Sequence, residues 1–173
     1  MFQLAAWCFD LDQQLFYRFN HSCRKYWLDT LMPWVTKLGG AVFTVVLNLI
    51  LYQYGNMKLS TAAGAALLAL TFSHVAVQIC KRVFTRPRPY LVFPNAHISQ
   101  TPLEDPSFPS GHTTAAFSLA IVYALFFPAM AIPLCLLASA VGFSRIYLGL
   151  HFPSDVLMGA LLGAITAISI FLF

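Results

Sequence analysis

Apolar residues run in long blocks along this chain, separated by short polar segments rather than alternating with them. About 20 consecutive apolar residues suffice for a helix to cross the hydrocarbon core of a bilayer. Residues 59–80 carry no charged side chain, with only His74 and Gln78 as strong polar interruptions. Residues 156–173 are uncharged to the last position. Residues 31–54 are apolar apart from Lys37, whose ammonium can extend to the headgroups from near a helix end. Between His112 and Arg145 there is no charge at all, but Pro128 and Pro133 punctuate the run. Proline breaks or ends a helix, so the pattern predicts a helical hairpin turning at about residues 127–133.

Two crossings fit there only if the helices reach outward to about Ser110 and about Leu148, which gives each roughly 18 residues and ~27 Å of length. His112 and Arg145 are then expected at one membrane edge. The pattern thus predicts five spans, with loops 81–109 and 146–152 on the same side. Upstream, Leu4, Trp7, Leu11, Leu15 and Phe19 recur at helical spacing opposite Gln3, Asp10, Gln14 and Arg18. That segment is expected to lie in the interface as an amphipathic helix, a crossing being the poorer alternative. It lacks a basic leader, and Asp10 and Asp12 interrupt its apolar part, so it does not read as a signal peptide. The expected fold is all-α: an integral-membrane bundle of about five transmembrane helices with an N-terminal amphipathic interfacial helix, residues 1–173 forming one domain.

Composition agrees. Of 173 residues 59% are hydrophobic and 9% charged, against about 25% charged in soluble domains, which leaves too little polar surface for a soluble protein. The net charge of +4 is not spread as on a nucleic-acid-binding face. Lys81, Arg82, Arg86 and Arg88 cluster between two apolar blocks, with Arg145 in a third, an arrangement that suits an anionic ligand at a membrane boundary. Cys8, Cys23, Cys80 and Cys135 have no metal-type spacing and read as unpaired packing residues.

Three short segments carry the candidate chemistry: Lys81 through Arg88-Pro89, Pro109-Ser110-Gly111-His112, and Ser144-Arg145 followed by His151 and Asp155. Ser110 is placed to cap the helix that follows, whose free N–H groups and dipole favour an anion, while Gly111 allows close backbone approach. Arg88 and Arg145 can grip phosphate oxygens in bidentate fashion, and Lys81 adds a point charge. Pro153 suits the first turn of the last helix, so Asp155 can reach back to His151, fix its tautomer and leave the other ring nitrogen as a nucleophile. His112 is a candidate proton donor to the leaving oxygen. Singly each segment has a plain structural reading, as helix cap, ion pair or topology signal. Together they fall on one side of the bundle with complementary roles.

The pattern Lys-x6-Arg-Pro, Pro-Ser-Gly-His and Ser-Arg-x5-His-x3-Asp resembles the type 2 phosphatidic acid phosphatase (PAP2) superfamily over residues 81–155, and the run from Leu28-Asp29 to Leu38-Gly39 is similar to that family's leading helix. The resemblance implies a phosphatase in which His151 forms a phosphohistidine, Asp155 orients it, and His112 protonates the leaving group and later activates water. Lys81, Arg88, Ser110, Gly111 and Arg145 would hold the phosphate, with Arg82 and Arg86 as accessory contacts. No metal and no other cofactor is implied. Expected substrates are membrane lipid phosphates: undecaprenyl diphosphate, phosphatidic acid or phosphatidylglycerol phosphate. A lipid A 1-phosphatase or a phosphotransferase of the same family is the alternative, with a membrane transporter or scaffold as a reading from another class. The expected partners are the substrate and the bilayer, not nucleic acid, and nothing in the pattern sets the oligomeric state. The expected place is the bacterial cytoplasmic (inner) membrane, multi-pass, with the site facing outward; the positive charges near the N-terminus argue the other way.

Overall fold

Where the apolar blocks lie, the chain is helical. The structure, a computed structural model, describes residues 2–98 and 101–173, with side chains from Phe9 onward. In chain order the α-helices are α1 (Phe2–Tyr17), α2 (Tyr26–Val35), α3 (Ala41–Tyr54), α4 (Met57–Val83), the short α5 (Pro89–Val92), α6 (Gly111–Phe126), α7 (Ala131–Tyr147) and α8 (Pro153–Leu172). A π-helical turn, Arg18–Ser22, extends α1, and 3-10 turns at Thr36–Gly39 and Pro128–Met130 follow α2 and precede α7.

The expected single span over residues 31–54 is instead a bent pair, Tyr26–Gly39 and Ala41–Tyr54, meeting at 55°. Gly40 is extended at the break, and Gly39 lies so close to α6 that a Cβ there would stand 2.6 Å from the His112 carbonyl oxygen. An apolar run conceals such a bend because hydropathy registers composition, not backbone direction. Among the described residues three helices are long and apolar enough to cross a membrane, Met57–Val83, Pro128–Tyr147 and Pro153–Leu172, and the bent pair makes a fourth candidate. The expected fifth, Gly111–Phe126, is apolar but shorter. It ends where Phe127 leaves helical geometry ahead of Pro128, as a residue before proline tends to do. The turn of the α6–α7 hairpin therefore lies where the prolines place it.

The N-terminal helix turns a face other than its apolar stripe toward the bundle. Its buried positions are Asp12, Phe16 and Asn20, while Leu11 is exposed; the side chains of Leu4 and Trp7 lie outside the described residues. Phe16 packs between Phe93 and Phe152, at centroid distances of 5.7 and 5.5 Å. The helix thus docks against the start of α8 with a stripe displaced by one residue from the apolar one. The displacement arises because Asp12 and Asn20 are buried through hydrogen bonds, which hydrophobic spacing cannot anticipate.

Small residues bring α6 and α8 into backbone contact, as membrane helices without a hydrophobic drive between them require. A Cβ on Gly159 would meet the Ser110 carbonyl oxygen at 2.7 Å, and one on Gly163 the Thr114 carbonyl oxygen at 2.4 Å. The Ser110 N–H donates to the Asp155 carbonyl at 3.0 Å. This pairing fixes the starts of the two helices side by side.

Candidate active site

The segment between α7 and α8 is wound back on itself. Gly149 adopts φ +78°, a conformation that glycine takes without a Cβ clash, and the N–H groups of Leu150 and His151 both return to the Arg145 carbonyl, at 3.0 and 3.3 Å. His151 is 2% exposed. Its ring nitrogens meet different partners: Arg88 Nη1 stands 3.2 Å from Nε2, and Ser107 Oγ stands 3.4 Å from Nδ1. A guanidinium can only donate, so Nε2 accepts from Arg88 and the ring proton belongs on Nδ1. Burial pushes the imidazole down to about 4; the nearby Asp155 carboxylate opposes this, and the Arg145 and Arg88 charges add to it. At neutral pH His151 is an uncharged ring with a lone pair on Nε2.

Asp155, in the first turn of α8, is completely buried. One oxygen accepts from Ser107 Oγ at 2.5 Å and from the Phe152 N–H at 2.8 Å, and the other from Arg86 Nη1 at 2.8 Å. Asp155 Oδ2 lies 3.7 Å from His151 Nδ1, beyond a direct hydrogen bond. Ser107 bridges the gap, its Oγ–H donating to the carboxylate while its oxygen faces the imidazole N–H. Reach-back from Asp155 therefore operates partly through a serine that sequence reasoning did not single out.

Lys81, Arg88, Gly111, His112, Arg145 and His151 line one groove of ≈ 550 Å³. Arg88 sits 2% exposed and is fixed on three sides: Nε donates to the Asp105 carbonyl at 2.8 Å, Nη1 to the Leu150 carbonyl at 2.8 Å, and Nη2 to the Asp105 carboxylate at 2.7 Å. Lys81 donates to the same carboxylate and to the Pro106 carbonyl at 2.8 Å. Burial pushes the Asp105 carboxyl up, but the hydrogen bond and charge of Lys81 and then those of Arg88 outweigh it and hold the group at about 2. Arg145 is also 2% exposed; its Nη1 donates to Thr36 Oγ1 at 2.8 Å, and its buried Nε has no partner among the described residues. Three cations thus face the groove against a single lining carboxylate, and one guanidinium is incompletely bonded. A buried charge in that condition requires an anion.

The remaining expected residues lie elsewhere. Ser110 is the residue before α6, as expected of a cap, yet its side chain caps no backbone N–H; Oγ accepts from Thr113 Oγ1 at 2.9 Å. Arg82 is exposed. Arg86 is a correction: it was expected as an accessory phosphate contact, but it is turned behind the site. Nη1 donates to Asp155 and to Ser154 Oγ (2.7 Å), Nη2 to Asp12 at 2.6 Å, and the guanidinium rests 4.1 Å above the Phe152 ring. Two buried carboxylates, Asp12 and Asp155, attract it more strongly than an open groove. The sequence held one signal for Asp105 and Asp12 and none for Ser107. The chain has only 6 acidic residues for 10 basic ones, so each acid inside an apolar protein is expected to hold a base.

Comparison with known proteins places this geometry. Residues 62–173 match the profile of the PAP2 superfamily. The chain is 35% identical over 106 residues, 61% of its length, to the "Bacitracin transport permease protein BcrC" of Bacillus licheniformis, and spans only about half (52%) of that relative. It is 30% identical over 138 residues to the "Undecaprenyl-diphosphatase BcrC" of Bacillus subtilis, covering 80% of this chain and 70% of the relative. Among solved structures, that of Aquifex aeolicus LpxE superposes with a TM-score of 0.82 at 32% identity, covering 92% of this chain and 94% of that one. A transmembrane PAP2 type phosphatidylglycerolphosphate phosphatase from Bacillus subtilis gives 0.77 at 25% identity, covering 94% of this chain and 83% of that one.

Proposed function

The chain belongs to the PAP2 superfamily, and on that footing we propose that it is a multi-pass membrane phosphatase that removes phosphate from a lipid through a phosphohistidine at His151. The observation that carries this reading is the excess of buried positive charge around an uncharged histidine: Lys81, Arg88 and Arg145 line one groove with His151, whose unprotonated Nε2 meets the Arg88 guanidinium there.

In the first step Nε2 attacks phosphorus, the P–Nε2 bond forms, and the bond from phosphorus to the lipid oxygen breaks. His112, carrying a proton in the complex with the anionic substrate, gives it to that oxygen. Asp155 and Ser107 hold the Nδ1–H as positive charge grows on the ring. In the second step His112, now neutral, takes a proton from water, the oxygen attacks phosphorus, and the P–Nε2 bond breaks to release phosphate. Arg145 and Arg88, with Lys81 and the first-turn N–H groups of α6 at Gly111, stabilise charge on the phosphoryl oxygens throughout. These roles draw on this chain's own residues and use no metal.

The site is proposed to open to the outer face of a bacterial cytoplasmic membrane, on family likeness. A transport role is the second reading, favoured by the printed name of the Bacillus licheniformis relative. Phosphate release from lipid phosphates by the purified, detergent-solubilised protein separates the two. Release that disappears in His151→Ala supports the phosphatase; no release from any lipid phosphate excludes it.

A further inference from the structure

His74 and Gln78 stand on the face of α4 that carries Lys81, about 10.5 and 4.5 Å along the helix axis from it at 1.5 Å per residue. Both line the groove that ends at His151, and both are exposed within an otherwise apolar span. Polar side chains at membrane depth are costly and serve a function by default. Two neighbouring polar groups are satisfied locally: Thr71 Oγ1 donates to the Leu67 carbonyl and Ser73 Oγ to the Leu70 carbonyl of their own helix, at 2.9 and 3.2 Å. His74 and Gln78 are not. Their one hydrogen bond among the described residues is to each other, Nε2 to Nε2, at 3.4 Å. The remaining amide and ring positions face the groove with capacity to spare.

The geometry points to a specificity device: we propose that His74 and Gln78 hydrogen-bond acyl carbonyls that flank the substrate phosphate. The substrate is then an acylated lipid phosphate rather than a polyprenyl one. The inference rests on the phosphatase reading above. An acyl carbonyl on a phosphorylated glycerol or sugar backbone lies a few bonds from phosphorus, roughly 5–8 Å at ~1.3–1.5 Å per bond, between the depths of Gln78 and His74 below Lys81. A polyprenyl chain presents only hydrocarbon there, and would leave both side chains with no partner but each other. A second phosphate is a poorer occupant, because among the described lining residues the cations are Lys81, Arg88 and Arg145, all around His151. The groove below offers the Gln78 amide and the His74 ring, which suit a carbonyl.

The test compares kcat/KM in mixed micelles for diacyl phosphatidic acid, its dialkyl ether analogue and a polyprenyl phosphate, for the unaltered protein and for His74→Leu/Gln78→Leu. The diester is expected to be preferred by the unaltered protein, and its advantage over the ether and the prenyl substrate to fall about tenfold in the variant, mainly through KM. Equal losses on all three substrates mark a structural role and overturn the proposal, as does an unchanged preference. If the unaltered protein releases phosphate from none of them, the phosphatase reading fails and the inference falls with it. An N-acylated glucosamine 1-phosphate carries the same carbonyl on a sugar, and the backbone whose turnover drops further in the variant identifies the source.

Discussion

Ser107 Oγ donates to Asp155 Oδ2 at 2.5 Å and stands 3.4 Å from His151 Nδ1, inside the 3.7 Å that separates imidazole from carboxylate. The proposed nucleophile is therefore oriented by a relay in which the serine is a positioning residue. Ser107→Ala is expected to lower kcat about tenfold, in keeping with the ~1.5–3 kcal/mol of a hydrogen bond to a charged group, while KM stays close to its original value. Ser107→Thr, which retains the hydroxyl, is expected to recover much of the rate. Steady-state kinetics of the two variants check this, and an Ala variant that changes only KM contradicts it.

Arg86 holds Asp12 of α1 and Asp155 of α8 with one guanidinium. Removing one partner of a buried ion pair costs about 3–5 kcal/mol, because a charge is left uncompensated; Arg86 is 20% exposed, so the lower end applies. Arg86→Ala is expected to lower the unfolding temperature clearly and to depress kcat, with inhibition by inorganic phosphate little altered. Adding Asp12→Asn should restore part of the stability, a coupling that thermal unfolding of the four proteins in a double-mutant cycle measures. A variant of full stability and weakened phosphate inhibition would return Arg86 to the phosphate site.

Arg145 has no partner for its buried Nε among the described residues. Arg145→Lys keeps a charge but not the planar fork. Inhibition constants for phosphate and orthovanadate are expected to rise at least tenfold in Arg145→Lys and further in Arg145→Gln. Thr36→Val, which removes the acceptor of Nη1, should give a smaller loss in the same direction.

His151 is held down at about 4, first by burial and then by the Arg145 and Arg88 charges over the opposition of Asp155. The folded ring stays neutral down to about that pH, whereas the unfolded ring titrates near 6.5. Between those values the unfolded chain binds more protons, so this group's contribution to stability falls as pH drops from 6.5 toward 4. Nitrogen NMR of histidine-labelled protein is expected to show an unprotonated Nε2 on His151 throughout that window. In Arg88→Gln the midpoint should move upward. A His151 that titrates at 6.5 or above contradicts the assignment.

The contrast between what was legible in the sequence and what was not follows from distance along the chain. Lys81 and Arg88, Gly111 and His112, and Arg145, His151 and Asp155 sit in three compact segments, and residues from all three line or back one groove. Local spacing was enough to find them, and the prolines at 128 and 133 were enough to place the hairpin. Thr36, Asp12 and Ser107 reach their partners from 109, 142 and 48 residues away, a separation that no local motif encodes. The inward face of the N-terminal helix was not legible because Asp12 and Asn20 are buried by pairing with Arg86 and with the Tyr147 and His97 carbonyls. The bend at Gly39-Gly40 was missed because it depends on how closely the backbone approaches α6.

The central claim, that His151 Nε2 is the nucleophile, is tested most directly by trapping its phosphorylated form. In His112→Gln an activated aryl phosphate needs no proton donor for the first step, yet the second step lacks its base, so the intermediate should accumulate. After alkaline quench and proteolysis, mass spectrometry is expected to find one phosphoryl group on the peptide containing His151, acid-labile and absent from His112→Gln/His151→Ala. Phosphate on any other residue, or continued turnover by His151→Ala, would contradict the account.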